Sequence, residues 1–164
     1  MYYSEINAMT TLVQIEKFLA HKRLAMVGVS SNPKDFSRGL FQELRRRQYD
    51  VVPVHPHASE IDGVACCRRV EDIHPQVEAA LLMTAPGVTA DVVRQCQAAG
   101  IRSVWMYRAG GSGAVSPEAV AFCAENGMAL VAGECPFMFL PETAWFHRFH
   151  GLCRKVLGAY PTPA

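Results

Sequence analysis

The segment Leu24-Ala25-Met26-Val27-Gly28-Val29-Ser30-Ser31-Asn32-Pro33 is an apolar run that stops abruptly at small and turn-forming residues. An amphipathic run at 36–47 follows directly. A buried parallel strand feeding a tight turn and then a helix has this form. The first N–H groups of a helix lack partners and carry partial positive charge, so such a turn is a seat for phosphate. Downstream the chain reads Val51-Val52-Pro53-Val54-His55-Pro56. Dinucleotide sites place an Asp or Glu near the end of the second strand, where it takes the ribose hydroxyls. Pro53-Val54-His55-Pro56 puts no carboxylate at that place. Together the two segments describe a nucleotide-type seat without the usual mark of NAD.

The same alternation continues along the chain. Helices are expected at about 11–20, 36–47, 88–99, 117–125 and 142–157, and strands at 24–29, 50–54, 79–83, 103–107 and 128–131. Between them, 64–67 is expected to form a brief strand and 70–73 a single helical turn. Strands alternating with helices imply a parallel sheet covered on both faces, because right-handed crossovers place the helices there. The expected fold is α/β, a Rossmann-like, doubly wound, five-stranded parallel sheet of order 3-2-1-4-5 with an extra N-terminal and an extra C-terminal helix. The expected organisation is an N-terminal helix within 1–21, a central domain at 22–140, and a C-terminal helix and tail at 141–164. Such a sheet brings its strand ends to one edge. Gly28-Val29-Ser30, Val54-His55-Pro56, Thr84-Ala85-Pro86 and Tyr107-Arg108-Ala109 are therefore expected around one crevice.

These motifs resemble the CoA-binding domain family, which includes the N-terminal domain of the succinyl-CoA synthetase α subunit and small standalone bacterial proteins. The resemblance rests on V-G-x-S-x-x-P at Val27 to Pro33, P-V-x-P at Pro53 to Pro56, Gly63, and the closing G-x-C-P at Gly133-Glu134-Cys135-Pro136. It implies a domain that holds CoA or acyl-CoA. In that reading Gly28, Val29, Ser30, Ser31 and Asn32 approach the phosphates, with Ser37 at the helix start. Pro53, Val54, His55 and Pro56 line the adenosine side, and Thr84, Ala85 and Pro86 the pantetheine path. Two departures stand out. The synthetase-type pattern carries a phosphate-binding Lys where this chain has His57, a weaker base. The synthetase also uses a second domain with a phosphorylated His, so ligase chemistry by this chain alone is not expected.

Other features narrow the function. The chain has 164 residues, one domain's worth, and a formal net charge of +1 with both signs scattered, unlike a nucleic-acid-gripping face. There is no run of eighteen apolar residues and no apolar signal core at the N-terminus, and the six cysteines lie mostly in apolar segments, so a reduced, cytoplasmic protein is expected. His55 and His57 have no third partner in the sequence, and no metal site is expected. Arg108 precedes Gly110-Gly111-Ser112-Gly113, which reads equally as a flap over a ligand or as a surface loop. Arg108 either pairs with phosphate or covers that loop with its stem. Cys135 reads as a small buried side chain; the functional alternative is a thiol at the crevice mouth.

In the last helix Trp145, Phe149, Leu152 and Val156 fall on one stripe, the expected surface for a homodimer or a partner protein. His147, His150 and Cys153 share a face there, among aromatics that suggest packing. No G-x-S-x-G elbow or other catalytic constellation is present. The expected function is non-catalytic binding of CoA or acyl-CoA. The alternatives are an NAD(P)-binding oxidoreductase or redox sensor on the same fold, or a regulatory subunit docking through the C-terminal helix.

Overall fold

The structure is a computed structural model and describes residues 10–108, 113–141 and Pro161. The expected helix at 142–157, with Trp145, Phe149, Leu152 and Val156, lies outside the described residues, as do His147, His150, Cys153 and the loop residues Gly110, Gly111 and Ser112.

Helix α1 (Leu12–Ala20) begins at a capping box, in which Thr11 Oγ1 accepts the Gln14 N–H at 3.2 Å and Gln14 Oε1 accepts the Thr11 N–H at 2.7 Å. The chain continues through β1 (Arg23–Val27), α2 (Phe36–Arg46), β2 (Asp50–Val54), the short strands β3 (Glu60–Ile61) and β4 (Val64–Ala65), and β5 (Ala79–Leu82). It then forms α3 (Pro86–Ala98), β6 (Ser103–Met106), α4 (Pro117–Glu125) and β7 (Ala129–Ala132). Helix α3 starts two residues earlier than its apolar period suggests, because Pro86 takes the first helical position, where a missing N–H costs nothing. Val70–Asp72 forms a 3-10 turn.

The main sheet has five strands in the order β2-β1-β5-β6-β7, all parallel. The doubly wound class and the reversal of strand order beside β1 are as expected. The strand at Ala79–Leu82 takes the place directly against β1, pairing Ala25 with Ala80 and Val27 with Leu82. The position outside β2 is left to a single parallel bridge between Val54 and Cys67, just after the β3–β4 hairpin. The segment at 64–67 therefore supplies both a hairpin strand and this edge contact.

Alternation along the strands divides the core in two. Leu24, Met26, Leu81, Trp105 and Val131 face α1 and α2, meeting Ile15, Phe18, Leu40, Phe41 and Leu44. Ala25, Val27, Ala80, Leu82, Val104 and Met106 face α3 and α4, meeting Val93, Cys96, Ala119 and Cys123. The result is three layers with the sheet in the middle. No described helix is long and apolar enough to cross a membrane.

Candidate functional site

At the carboxyl edge of the sheet a crevice of about 590 Å³ opens where β1 and β5 diverge. Its wall is built from Gly28 and Ser30 after β1, Asp35, Phe36 and Ser37 at the start of α2, Met83 to Pro86 after β5, and Tyr107, Gly113 and Ala114 after β6. This is the strand-order reversal at which open α/β sheets hold ligands, and the volume suits a small organic molecule.

The turn is shaped by close approach. Gly28 has φ +89°, and a Cβ there would lie 3.0 Å from the Met83 carbonyl carbon and oxygen. Its N–H donates to the Val54 carbonyl at 3.2 Å, tying the turn to β2. The loop is then closed by its own side chains. Ser37 Oγ accepts the Ser30 N–H at 2.9 Å, and Ser30 Oγ accepts the Asn32 N–H at 3.1 Å. Asn32 Oδ1 accepts the Lys34 N–H at 3.0 Å. Asp35 caps α2, its Oδ1 accepting the Ser37 N–H at 2.8 Å and the Ser37 hydroxyl at 2.5 Å. The expected seat is thus a turn whose amides are largely held from within.

The far wall is aromatic. Phe36 is 39% exposed and stacks on Tyr107 with ring centroids 5.0 Å apart, and it meets Phe137 edge-on at 5.5 Å. Burial first, then the nearby Cys135 and Asp35, pushes the Tyr107 phenol well above its ordinary value, so it stays a neutral hydroxyl. Thr84 and Thr89 hydroxyls meet at 2.8 Å, and Thr89 donates to the Ala85 carbonyl at 3.1 Å.

Of the expected residues, Gly28, Ser30, Ser37, Thr84, Ala85 and Pro86 come together in this wall. Val29 is buried in the core, and Ser31 and Asn32 are exposed on the turn. Pro53 and Val54 are buried in β2, His55 is half-buried and Pro56 is exposed. His55 Nδ1 accepts the N–H groups of His57 and Ala58 at 3.1 and 2.9 Å, so this ring braces the loop after β2. Arg108 is half-buried at the end of β6, and Cys135 is half-buried near Tyr107. Phe36 and Met83 line the crevice without having been signalled by the sequence, since each reads as one more apolar residue of its element.

Over residues 22–141 the chain matches the family of the CoA binding domain. The chain belongs to the CoA binding domain family. This CoA binding domain is 25% identical over 97 residues to the alpha subunit of the ADP-forming acetate–CoA ligase II of Pyrococcus furiosus, a match covering 58% of this chain and 21% of the ligase subunit. It thus spans about a fifth of the curated relative's length. Among solved structures it is similar to a hypothetical protein from Pyrococcus horikoshii OT3, with 29% identity, a TM-score of 0.72, and coverage of 80% of this chain and 89% of that one. It also shares its fold with the dinucleotide-forming acetyl-coenzyme A synthetase 1 of Ca. Korarchaeum cryptofilum, at 22% identity and a TM-score of 0.59, covering 68% of this chain and 26% of that one.

Proposed function

We propose that this chain binds CoA or an acyl-CoA, without catalysing a reaction, in the crevice between the ends of β1 and β5. The observation that carries this reading is the coincidence of two things: membership of the CoA binding domain family, and an open crevice at the strand-order reversal whose wall contains the Gly28 turn. The ligand's diphosphate would lie against the turn from Gly28 to Ser37. The Ser30 hydroxyl is a polar donor at hand there, the Ser37 and Thr84 hydroxyl protons being given to Asp35 and Thr89, and Pro86 and Met83 offer an apolar path for the pantetheine arm. Asp35 is the carboxylate of the wall, and its charge is engaged by the Ser37 N–H and hydroxyl.

A thermal-shift screen of CoA, acetyl-CoA, NAD, NADP and ATP tests the reading. A ligand that binds only the folded chain adds about 2.7 kcal/mol at a hundredfold excess over Kd. CoA or acetyl-CoA is expected to raise Tm, with NAD and NADP without effect. Stabilisation by NAD but not by CoA would replace the reading with a nicotinamide nucleotide site.

A further inference from the structure

Arg38 is a cation that meets the turn at its carbonyls and is not among the residues lining the crevice. It is 8% exposed, one residue past Ser37 in α2. Its Nε donates to Asp62 Oδ2 at 3.3 Å and its Nη2 donates to Asp62 Oδ1. Its Nη1 donates to two turn carbonyls, those of Ser30 at 3.3 Å and Ser31 at 3.2 Å. Asp62 sits in the β3–β4 turn with φ +49°, beside Gly63 at +73°. The Asp62 carboxylate also accepts from Gln42 Nε2 at 3.0 Å, and its carbonyl accepts from Arg45 at 3.4 Å. One guanidinium therefore joins the turn, α2 and the hairpin.

The direction of those carbonyls matters for an anion. In a trans peptide the C=O and the next residue's N–H point opposite ways. With the Ser30 and Ser31 carbonyls drawn onto Arg38, the N–H groups of Ser31 and Asn32 face the other side. Ser30 Oγ takes the Asn32 N–H, which leaves the Ser31 N–H turned away from the guanidinium. A carbonyl oxygen facing the seat would repel phosphate, whereas outward N–H groups attract it.

We propose that Arg38, held by Asp62, is a positioning residue for the crevice: it turns the carbonyls of Ser30 and Ser31 away from a phosphate-bearing ligand and presents the Ser31 amide to it. The inference rests on the CoA reading above. Arg38 acts through the backbone and does not touch the ligand. Lys at this place would keep the charge, but a point charge cannot hold a carboxylate and two carbonyls in one plane.

The test is calorimetric titration of CoA into the wild-type chain and into Arg38→Lys, Arg38→Gln and Asp62→Asn. Each is measured below its own Tm and at two salt concentrations. Asp62→Asn leaves the Arg38 side chain intact, so it serves even where Arg38→Gln does not fold. Wild-type binding is expected, with every folded variant weaker by roughly tenfold or more, as for other outer groups that orient a binding site. The salt dependence of Kd is expected to be the same in all, because no ligand-contacting charge is removed. A smaller salt dependence in Arg38→Gln would mean that the guanidinium grips phosphate directly, which overturns the proposal. Wild-type affinity in the folded variants, or in Arg38→Lys alone, overturns it as well. Failure of the wild-type chain to bind CoA would remove the functional reading itself, and this inference with it.

Discussion

At Gly28 two demands fall on one residue. The backbone is left-handed at φ +89°, and the Met83 main chain stands 3.0 Å from where a Cβ would be. An L side chain costs about 1–2 kcal/mol in that conformation before any displacement of β5. Gly28→Ala is therefore expected to lose about 2 kcal/mol or more in urea unfolding. A loss under about 0.5 kcal/mol, the range of neutral surface changes, would contradict the geometry. This glycine was legible in the sequence as part of the V-G-x-S-x-x-P motif at the close of the first apolar run. Arg38 and Asp62 were not, since an arginine on a helix carries no local sign of which acceptors it reaches 24 residues away. His55 shows the converse. Its place after β2 was legible, but its imidazole faces its own loop, where Nδ1 accepts two backbone N–H groups.

Among the elements, α2 links the crevice to the molecule's charge. Its start holds Asp35 and Ser37, and its last turn carries an ion-paired cluster. Arg46 donates to Glu43 twice at 2.8 Å, and Arg47 donates to it at 2.6 Å. Hydrogen bonds from Arg46, with the one from Arg47, hold the Glu43 carboxyl down at about 2 against the opposing effect of burial. Because the folded value is depressed, the stabilisation is full above the ordinary carboxyl range and is lost as pH falls toward 2. The unfolding free energy of the wild-type chain, read from urea denaturation, should therefore fall between pH 5 and pH 2 by about 1 kcal/mol more than that of Glu43→Gln, as suits a partly exposed pair. Parallel curves would show that the pairing adds nothing. The element pattern itself was readable, since period-2 and 3.6-residue apolar spacing are local properties. Helix α3 begins two residues before its apolar period does, because Pro86 serves as the first helical residue, where no apolar contact marks it.

For the whole molecule, Trp105 joins the layers. It is fully buried in β6, meets Phe18 of α1 edge-on at 5.2 Å, and donates its indole N–H to the Glu134 carbonyl at 2.9 Å. Trp105→Ala is expected to cost about 4 kcal/mol, through a large cavity and an orphaned carbonyl. The Tm from circular dichroism should fall accordingly, and one near the wild-type value would show that α1 packs independently of the sheet. The fold class, the sheet's layering and the location of the turn followed from patterns within a few residues of each other, because apolar period and turn chemistry act locally. The seat of Ala79–Leu82 against β1, the Phe36–Tyr107 stack and the Arg38–Asp62 clamp did not. Each depends on which distant elements pack side by side, and that choice is made by the burial of the entire core rather than by any one segment.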